Sequence, residues 1–264
     1  MRRLLTQLIL FLCFSLTADA RPSRVERKLV AIKADLMSAD YRADLPALAE
    51  GRLRAAALSD DPNLGYLADY WSGFASWRIV LNGAGGKLTP DEAKAHLAKA
   101  VVDFESSINK KSGFADGYAG AAAVHGWLAA YSRSDPTNMN KEIDNYKRLI
   151  NRALELEPDN PRVLWIQAIP YMVMPPERGG SIDRAIELYR KMVENARPLT
   201  PSSPLPDWGK PEGLMSLANA HIMKPSPDIN AATEEARAAL ELQPQFHYVK
   251  DILIPQIEAK RKQQ

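Results

Sequence analysis

The chain is poor in the residues that mark several common protein classes. Of its 264 residues one is cysteine, Cys13, so an intramolecular disulfide framework is excluded and stability has to come from burial. Alternating runs of β-branched residues are nearly absent, which argues against a sheet. The charges almost cancel, 34 basic against 32 acidic, leaving no basic stripe for a phosphate backbone, and no nucleic acid partner is expected. What remains is 46% hydrophobic and 25% charged, a balance that suits a folded, soluble chain.

The longest apolar stretch, Leu4 to Leu16, is interrupted by Thr6, Gln7 and Ser15, and is short of the roughly 20 residues of a membrane span. Arg2 and Arg3 precede it, and Ala18-Asp19-Ala20 follows as a small-x-small cleavage signal. Residues 1–20 therefore read as a secretory signal peptide cleaved near Ala20/Arg21, and the mature chain is expected in an exported compartment such as a bacterial periplasm, without an integral span. Cys13 falls inside that leader, and the bulky Phe11 and Leu12 before it disfavour a lipoprotein signal.

Beyond the leader, apolar residues recur at helical spacing, and proline and glycine cluster at intervals that read as helix boundaries: Asp61-Pro62, Gly83 to Gly86, Asp135-Pro136, Glu157 to Pro161, Pro175 to Gly180 and Pro198 to Pro211. Thr89-Pro90-Asp91-Glu92 has the form of a capping box with proline in the first turn, and Asn160-Pro161 and Ser226-Pro227 follow the same cap-then-proline logic. The expected class is all-α.

A repeat runs through this pattern. Ala153-Leu154-Glu155-Leu156-Glu157-Pro158 returns 86 residues later, two units of 43, as Ala239-Leu240-Glu241-Leu242-Gln243-Pro244. Tyr146, Ile150 and Ala153 match Ala232, Ala236 and Ala239, with Ala185, Tyr189 and Met192 between them and Ala93, Leu97 and Ala100 before them. Each is preceded by a first helix with its own spacing: Trp71, Phe74, Ala75; Tyr118, Ala121, Ala122, His125; Leu164, Gln167, Ala168, Tyr171; and Leu214, Leu217, Ala218, His221. A large residue followed by small ones lets two helix backbones approach while the large groups fill the flanking holes.

These residues resemble the tetratricopeptide repeat (TPR), with a large apolar residue, Leu-Gly and Tyr on the first helix and Ala, Phe and Pro on the second. The resemblance covers about residues 66 to 244 and implies a right-handed superhelical stack of antiparallel helix pairs, three to four repeats in 63–244. Arg78 departs from the pattern at an aromatic position, Gln167 at a leucine and Tyr146 at an alanine, and loops at Tyr131 to Asn140 and Met174 to Gly180 lengthen the units. Outside the array, 21–62 reads as an N-terminal capping pair, Val25 to Ser38 and Leu45 to Leu58, and 245–264 as a capping helix with a basic tail. In the latter, Tyr248, Val249, Ile252, Leu253 and Ile257 share one side and Pro255 marks a kink.

Catalytic chemistry finds no support in the spacing. His96, His125, His221 and His247 form no helical zinc pair, and His125 and His221 stand where a repeat packs an aromatic ring. Gly83 to Lys87 lacks a P-loop ending, Asp135 to Asp144 lacks a calcium-loop glycine, and no serine sits in a nucleophile elbow. Pro175-Pro176 to Gly179-Gly180-Ser181 reads as a left-handed turn followed by a helix cap. No enzyme, cofactor or metal is expected.

The TPR resemblance instead implies binding of a protein or peptide in the concave groove lined by the first helices, here Asp69, Ser72, Ser76, Asp116, Ala119, Ala123, Trp127, Arg162, Trp165, Ile169, Met172, Glu212, Met215 and Asn219. Trp127, Trp165 and Met215 would anchor apolar groups and Arg162 a carboxylate of another envelope or secreted protein or peptide. The Pro-Pro to Gly-Gly junction is also similar to exported TPR proteins such as the periplasmic component of some TRAP transporters, which implies an alternative, a carrier passing a small apolar ligand to a transporter. The 198–211 linker with Trp208 either leaves the groove open or folds back on it.

Overall fold

The computed structural model describes residues 22–263, and among these every regular element is helical. The expected signal peptide and Cys13 lie outside the described residues. The α-helices are α1 (Arg24–Tyr41), α2 (Leu45–Ala56), α3 (Gly65–Gly83), α4 (Pro90–Lys110), α5 (Ala115–Tyr131), α6 (Pro136–Leu156), α7 (Pro161–Val173), α8 (Ile182–Asn195), α9 (Lys210–Met223), α10 (Ile229–Leu242) and α11 (Ile254–Arg261). A 3-10 turn spans Pro176–Arg178, and a π-helical turn, Tyr248–Leu253, runs directly into α11.

Capping chemistry places most helix starts. Thr89 and Glu92 form the expected reciprocal box at α4, Ser23 and Glu26 form another at α1, and the Asn160 side chain accepts from the Arg162 amide at α7. Two expectations shift. The helix expected after Ser226-Pro227 starts two residues later, because Asp228, an equally good cap, accepts from the Ala231 amide. The expected loop from Tyr131 to Asn140 is shorter, because Asp135 caps α6 through the Asn138 amide and Pro136 needs no donor in the first turn. In the Pro-Gly junction, Gly179 takes the left-handed conformation at φ 90° and Ser181 caps α8 through the Arg184 amide.

The helices pack in consecutive pairs, α1 with α2, α3 with α4, α5 with α6, α7 with α8 and α9 with α10, and each pair stacks on the next. Four pairs thus carry the repeat. The alanine rows face inward, with Ala93, Ala100, Ala153, Ala185, Ala232, Ala236 and Ala239 all buried. Between α3 and α5 the Phe104 ring of α4 lies against two glycines: a Cβ on Gly120 would stand 2.4 Å from the ring and one on Gly73 3.1 Å.

At the C-terminal end Val249, Leu253 and Ile257 are buried and Tyr248 is half-buried, whereas Ile252, expected on the same side, is exposed. The π turn widens the winding so that every fourth residue stays inward and Ile252 rotates out. Pro255 follows directly on that turn, in the first turn of α11. The two ends of the array also meet, for Tyr41 at the end of α1 packs edge-on against Phe246, ring centres 5.0 Å apart.

Candidate functional site

The concave face is occupied by the chain itself. The linker between α8 and α9 crosses it as an irregular strap, and Trp208 near its end is only 2% exposed. The Lys33 ammonium on α1 donates to the carbonyls of Thr200 (3.2 Å) and Ser203 (3.0 Å) and to the Asp207 carboxylate (2.6 Å). The Trp71 indole donates to the Pro204 carbonyl (2.8 Å), and an Arg162 N–H donates to the Trp208 carbonyl (3.2 Å). Thus α1, α3 and α7 all grip the strap, largely through its main chain.

Trp208 enters a box of rings. Phe74, Trp77 and Trp165 stand 5.8, 6.2 and 5.5 Å away between ring centres, and the indole N–H donates to the Tyr70 hydroxyl at 3.0 Å. The guanidinium of Arg78 lies 4.6 to 5.1 Å from the centres of all four rings, Phe74, Trp77, Trp165 and Trp208. Where the repeat pattern has an aromatic residue, this chain therefore holds a cation between aromatics.

Behind Arg78, Asp40 of α1 lies 3.5 Å from its Nε, and Glu212 of α9 accepts from the Tyr41 hydroxyl at 2.8 Å. Burial raises both carboxyl pKa values, with Arg78 opposing the rise, and burial together with Glu212 raises the Tyr41 phenol well above its ordinary value. Arg78 Nε and Nη2, Trp77 Nε1 and Glu212 Oε2 are buried without a hydrogen-bond partner among the described residues.

The groove residues implied by the repeat resemblance divide into three sets. Asp116, Arg162 and Trp165 are brought together around the strap; Arg162 donates to Asp116 through Nε (2.6 Å) and Nη2 (3.2 Å), and the Trp165 indole donates to Ser216. The carboxylate expected from a ligand at Arg162 is thus supplied by Asp116. Asp69, Ser72 and Ser76 do not face the groove: Asp69 accepts from Ser106 and Lys110, Ser72 donates to Asp103, and Ser76 accepts from Arg52. They serve the packing of α3 with its neighbours α2 and α4, and the strap is met instead by Tyr70, Trp71, Phe74 and Trp77. Glu212 is closed off beneath Tyr41, and Ala119 and Ala123 are buried.

The third set stays partly open. Trp127, Ile169, Met172 and Met215 are half-buried, Trp127 being paired with Tyr131 at 6.2 Å. Asn219 bridges the Met215 carbonyl and the Tyr248 hydroxyl. Sequence reasoning missed Lys33, Tyr70 and Trp77 as site residues. Trp208 in a proline-bounded linker and Arg78 at an aromatic position were the signals that pointed toward this arrangement.

Beside the strap a cleft of about 840 Å³ is lined by Lys111, Asp116, Asn160, Arg162, Arg197 and Asp207, among others. Among the described residues no group of three or more His, Cys, Asp or Glu could hold a metal ion, and no helix is long and apolar enough to cross a membrane.

No protein-family model and no curated protein matches the chain. Among solved structures, the HusA haemophore from Porphyromonas gingivalis is similar with a TM-score of 0.57 and 19% identity, over 77% of this chain and 94% of that one. TTC0263, a thermophilic TPR protein from Thermus thermophilus, is similar with a TM-score of 0.54 and 15% identity, over 89% of this chain and 97% of its own. At these identities the likeness is one of fold: this chain has a TPR-like stack of helix pairs.

Proposed function

We propose that the protein is an exported, non-enzymatic scaffold whose concave face holds a non-helical segment of a partner protein or peptide in an envelope or secreted compartment. The observation that carries this reading is the mode in which the face grips the strap. Four of its main-chain carbonyls, at Thr200, Ser203, Pro204 and Trp208, take donors from three different helices. Donors aimed at carbonyls suit a non-helical chain whose carbonyls are free to accept, whereas a catalytic centre needs groups aimed at a reacting atom.

The test replaces residues 198–208 with a glycine-serine linker of equal length and screens immobilised peptides against the product. Micromolar binding that soluble strap peptide displaces supports the proposal. A helical, cooperatively folding variant that retains no peptide rejects it.

A second reading, a carrier of a small apolar ligand, is supported by the haemophore neighbour and by the half-buried Trp127, Ile169, Met172 and Met215. Mass spectrometry of the purified protein under native conditions distinguishes the two: a copurifying small molecule favours the carrier.

A further inference from the structure

The strap also carries information about what kind of segment fits. Its contacts are unequal, and their inequality has the form of a motif. Asp207 is the residue whose carboxylate meets the Lys33 ammonium, with both side chains nearly buried, so an uncharged residue there would leave a cation enclosed without its counter-charge. Trp208 fills the ring box, and its indole N–H meets the Tyr70 hydroxyl at 3.0 Å. Phenylalanine or leucine could enter the box but would leave that hydroxyl without its donor, and a site built around a hydrogen bond discriminates strongly against a group that lacks it.

Gly209 follows at φ 146°, in the region that L side chains rarely adopt, and a Cβ there would lie 3.2 Å from the Pro161 side chain. Pro204 and Pro206 are buried, whereas Leu205 between them is 47% exposed, so its identity is read least. The sequence displayed to the groove is therefore Pro-x-Pro-acid-Trp-Gly. Proline on both sides of the bend at Leu205 restricts the backbone before it binds and lowers the entropy lost on docking.

We infer that the partner of this face is a non-helical protein segment with an acidic residue directly before a tryptophan, flanked by proline and glycine, and that it competes with the strap for Lys33 and the ring box. This inference rests on the polypeptide-scaffold reading above and adds the chemistry of the partner. Two features make exchange physically reasonable. The strap has no helix or strand, only a turn at Thr200–Ser203 whose Thr200 amide donates to Asp207 (2.7 Å) and a bend at Leu205, and the cleft of about 840 Å³ along its 198–207 stretch gives an incoming chain room beside it. A tethered competitor acts at an effective concentration of millimolar order, so the intact protein should bind a free partner more weakly than its intrinsic affinity.

The experiment titrates a synthetic peptide with the sequence of residues 199–209, acetylated and amidated, into the full chain carrying Trp208→Ala, read by isothermal calorimetry. Expected is saturable binding, weakened about thirtyfold when the peptide tryptophan is alanine, as for a buried anchor, and about tenfold when its aspartate is asparagine. The unaltered chain should bind the same peptide more weakly than the variant.

Equal binding of the altered peptides would overturn the motif while leaving the polypeptide-scaffold reading intact. Absence of any binding to a folded Trp208→Ala chain would overturn the inference, and the linker-replaced protein then decides whether the broader reading falls too. If Trp208→Ala does not fold, Asp207→Asn replaces it. That variant removes the strap's own counter-charge and leaves Lys33 for the peptide's aspartate; tighter peptide binding than in the unaltered chain supports the inference, and unchanged binding overturns it.

Discussion

Arg162 is the groove cation that the sequence offers to a ligand carboxylate, and the structure gives it Asp116 instead, through two hydrogen bonds with both side chains almost buried. Replacing Asp116 by alanine leaves a guanidinium enclosed without counter-charge; breaking a buried pair from one side costs about 3–5 kcal/mol. For a chain of this size each kcal/mol lowers Tm by roughly 2–4 °C, so a fall of about 6 to 20 °C is expected. Arg162→Met breaks the pair from the other side, leaving the Asp116 carboxylate enclosed and the Trp208 carbonyl without its donor, so its cost should be comparable. With both substitutions the loss should be smaller than the sum of the singles by about 1.5–3 kcal/mol. Urea denaturation of the four proteins, fitted for midpoint and slope, measures the coupling. A coupling under about 0.5 kcal/mol, the range of independent sites, would refute the assignment of Arg162 to Asp116 and return it to the pool of free ligand-binding groups.

Three further outcomes follow from particular contacts. Burial raises the Glu235 pKa from 4.5 to about 7, with Asp228 and Glu234 adding to the rise and Arg190 opposing it, while burial lowers that of His221, which lies 3.5 Å away. The folded state thus holds the Glu235 proton more tightly than the unfolded one, so this group's contribution falls as pH rises from about 4.5 to about 7. Glu235→Gln should be more stable than the parent at pH 8 by about 1–2 kcal/mol after allowance for solvent screening, with the advantage gone near pH 4.5; equal differences at both pH values would contradict this. Gly180→Ala should cost more than about 2 kcal/mol, because the new Cβ would stand 1.7 Å from the Met174 carbonyl oxygen, and thermal melts should show it while Gly126→Ala, with its nearest neighbour at 3.7 Å, stays nearly neutral. Gly120→Ala should cost about 1–3 kcal/mol by overpacking against Phe104, and Phe104→Leu in the same chain should recover part of that loss.

The architecture was legible because its signals are local. Alanine at Ala153 and Ala239, the capping box at Thr89 and the prolines at helix starts each act within a few residues, and together they fix helix lengths and the faces that meet. The register of α3 was not legible. That helix is buried nearly all round, its polar residues Asp69, Ser72, Ser76 and Arg78 included, so polarity does not mark an exposed face. Asp69, Ser72 and Ser76 look like groove residues until their partners are known, and Arg52, Asp103, Ser106 and Lys110 stand 24 to 41 residues away in the chain. Lys33 was harder still: its anion, Asp207, is 174 residues distant, and in the sequence the lysine is one more charge beside an apolar stripe.

The same contacts bear on whether a polypeptide or a small apolar molecule is the better occupant. If the strap left, Lys33 and the Trp71 indole would lose all the hydrogen-bond partners described above, and Arg162 would lose one of its acceptors. Groups stranded in this way cost about 1–3 kcal/mol each, and more for a charge, wherever water does not replace the lost partner. An apolar ligand can refill the ring box but brings no carbonyls, so it recovers the burial and leaves the donors unmet. A polypeptide segment recovers both. The balance of these terms favours polypeptide exchange over small-molecule capture on the strap-covered part of the face, and confines any apolar ligand to the margin where Trp127, Ile169, Met172 and Met215 remain half-buried.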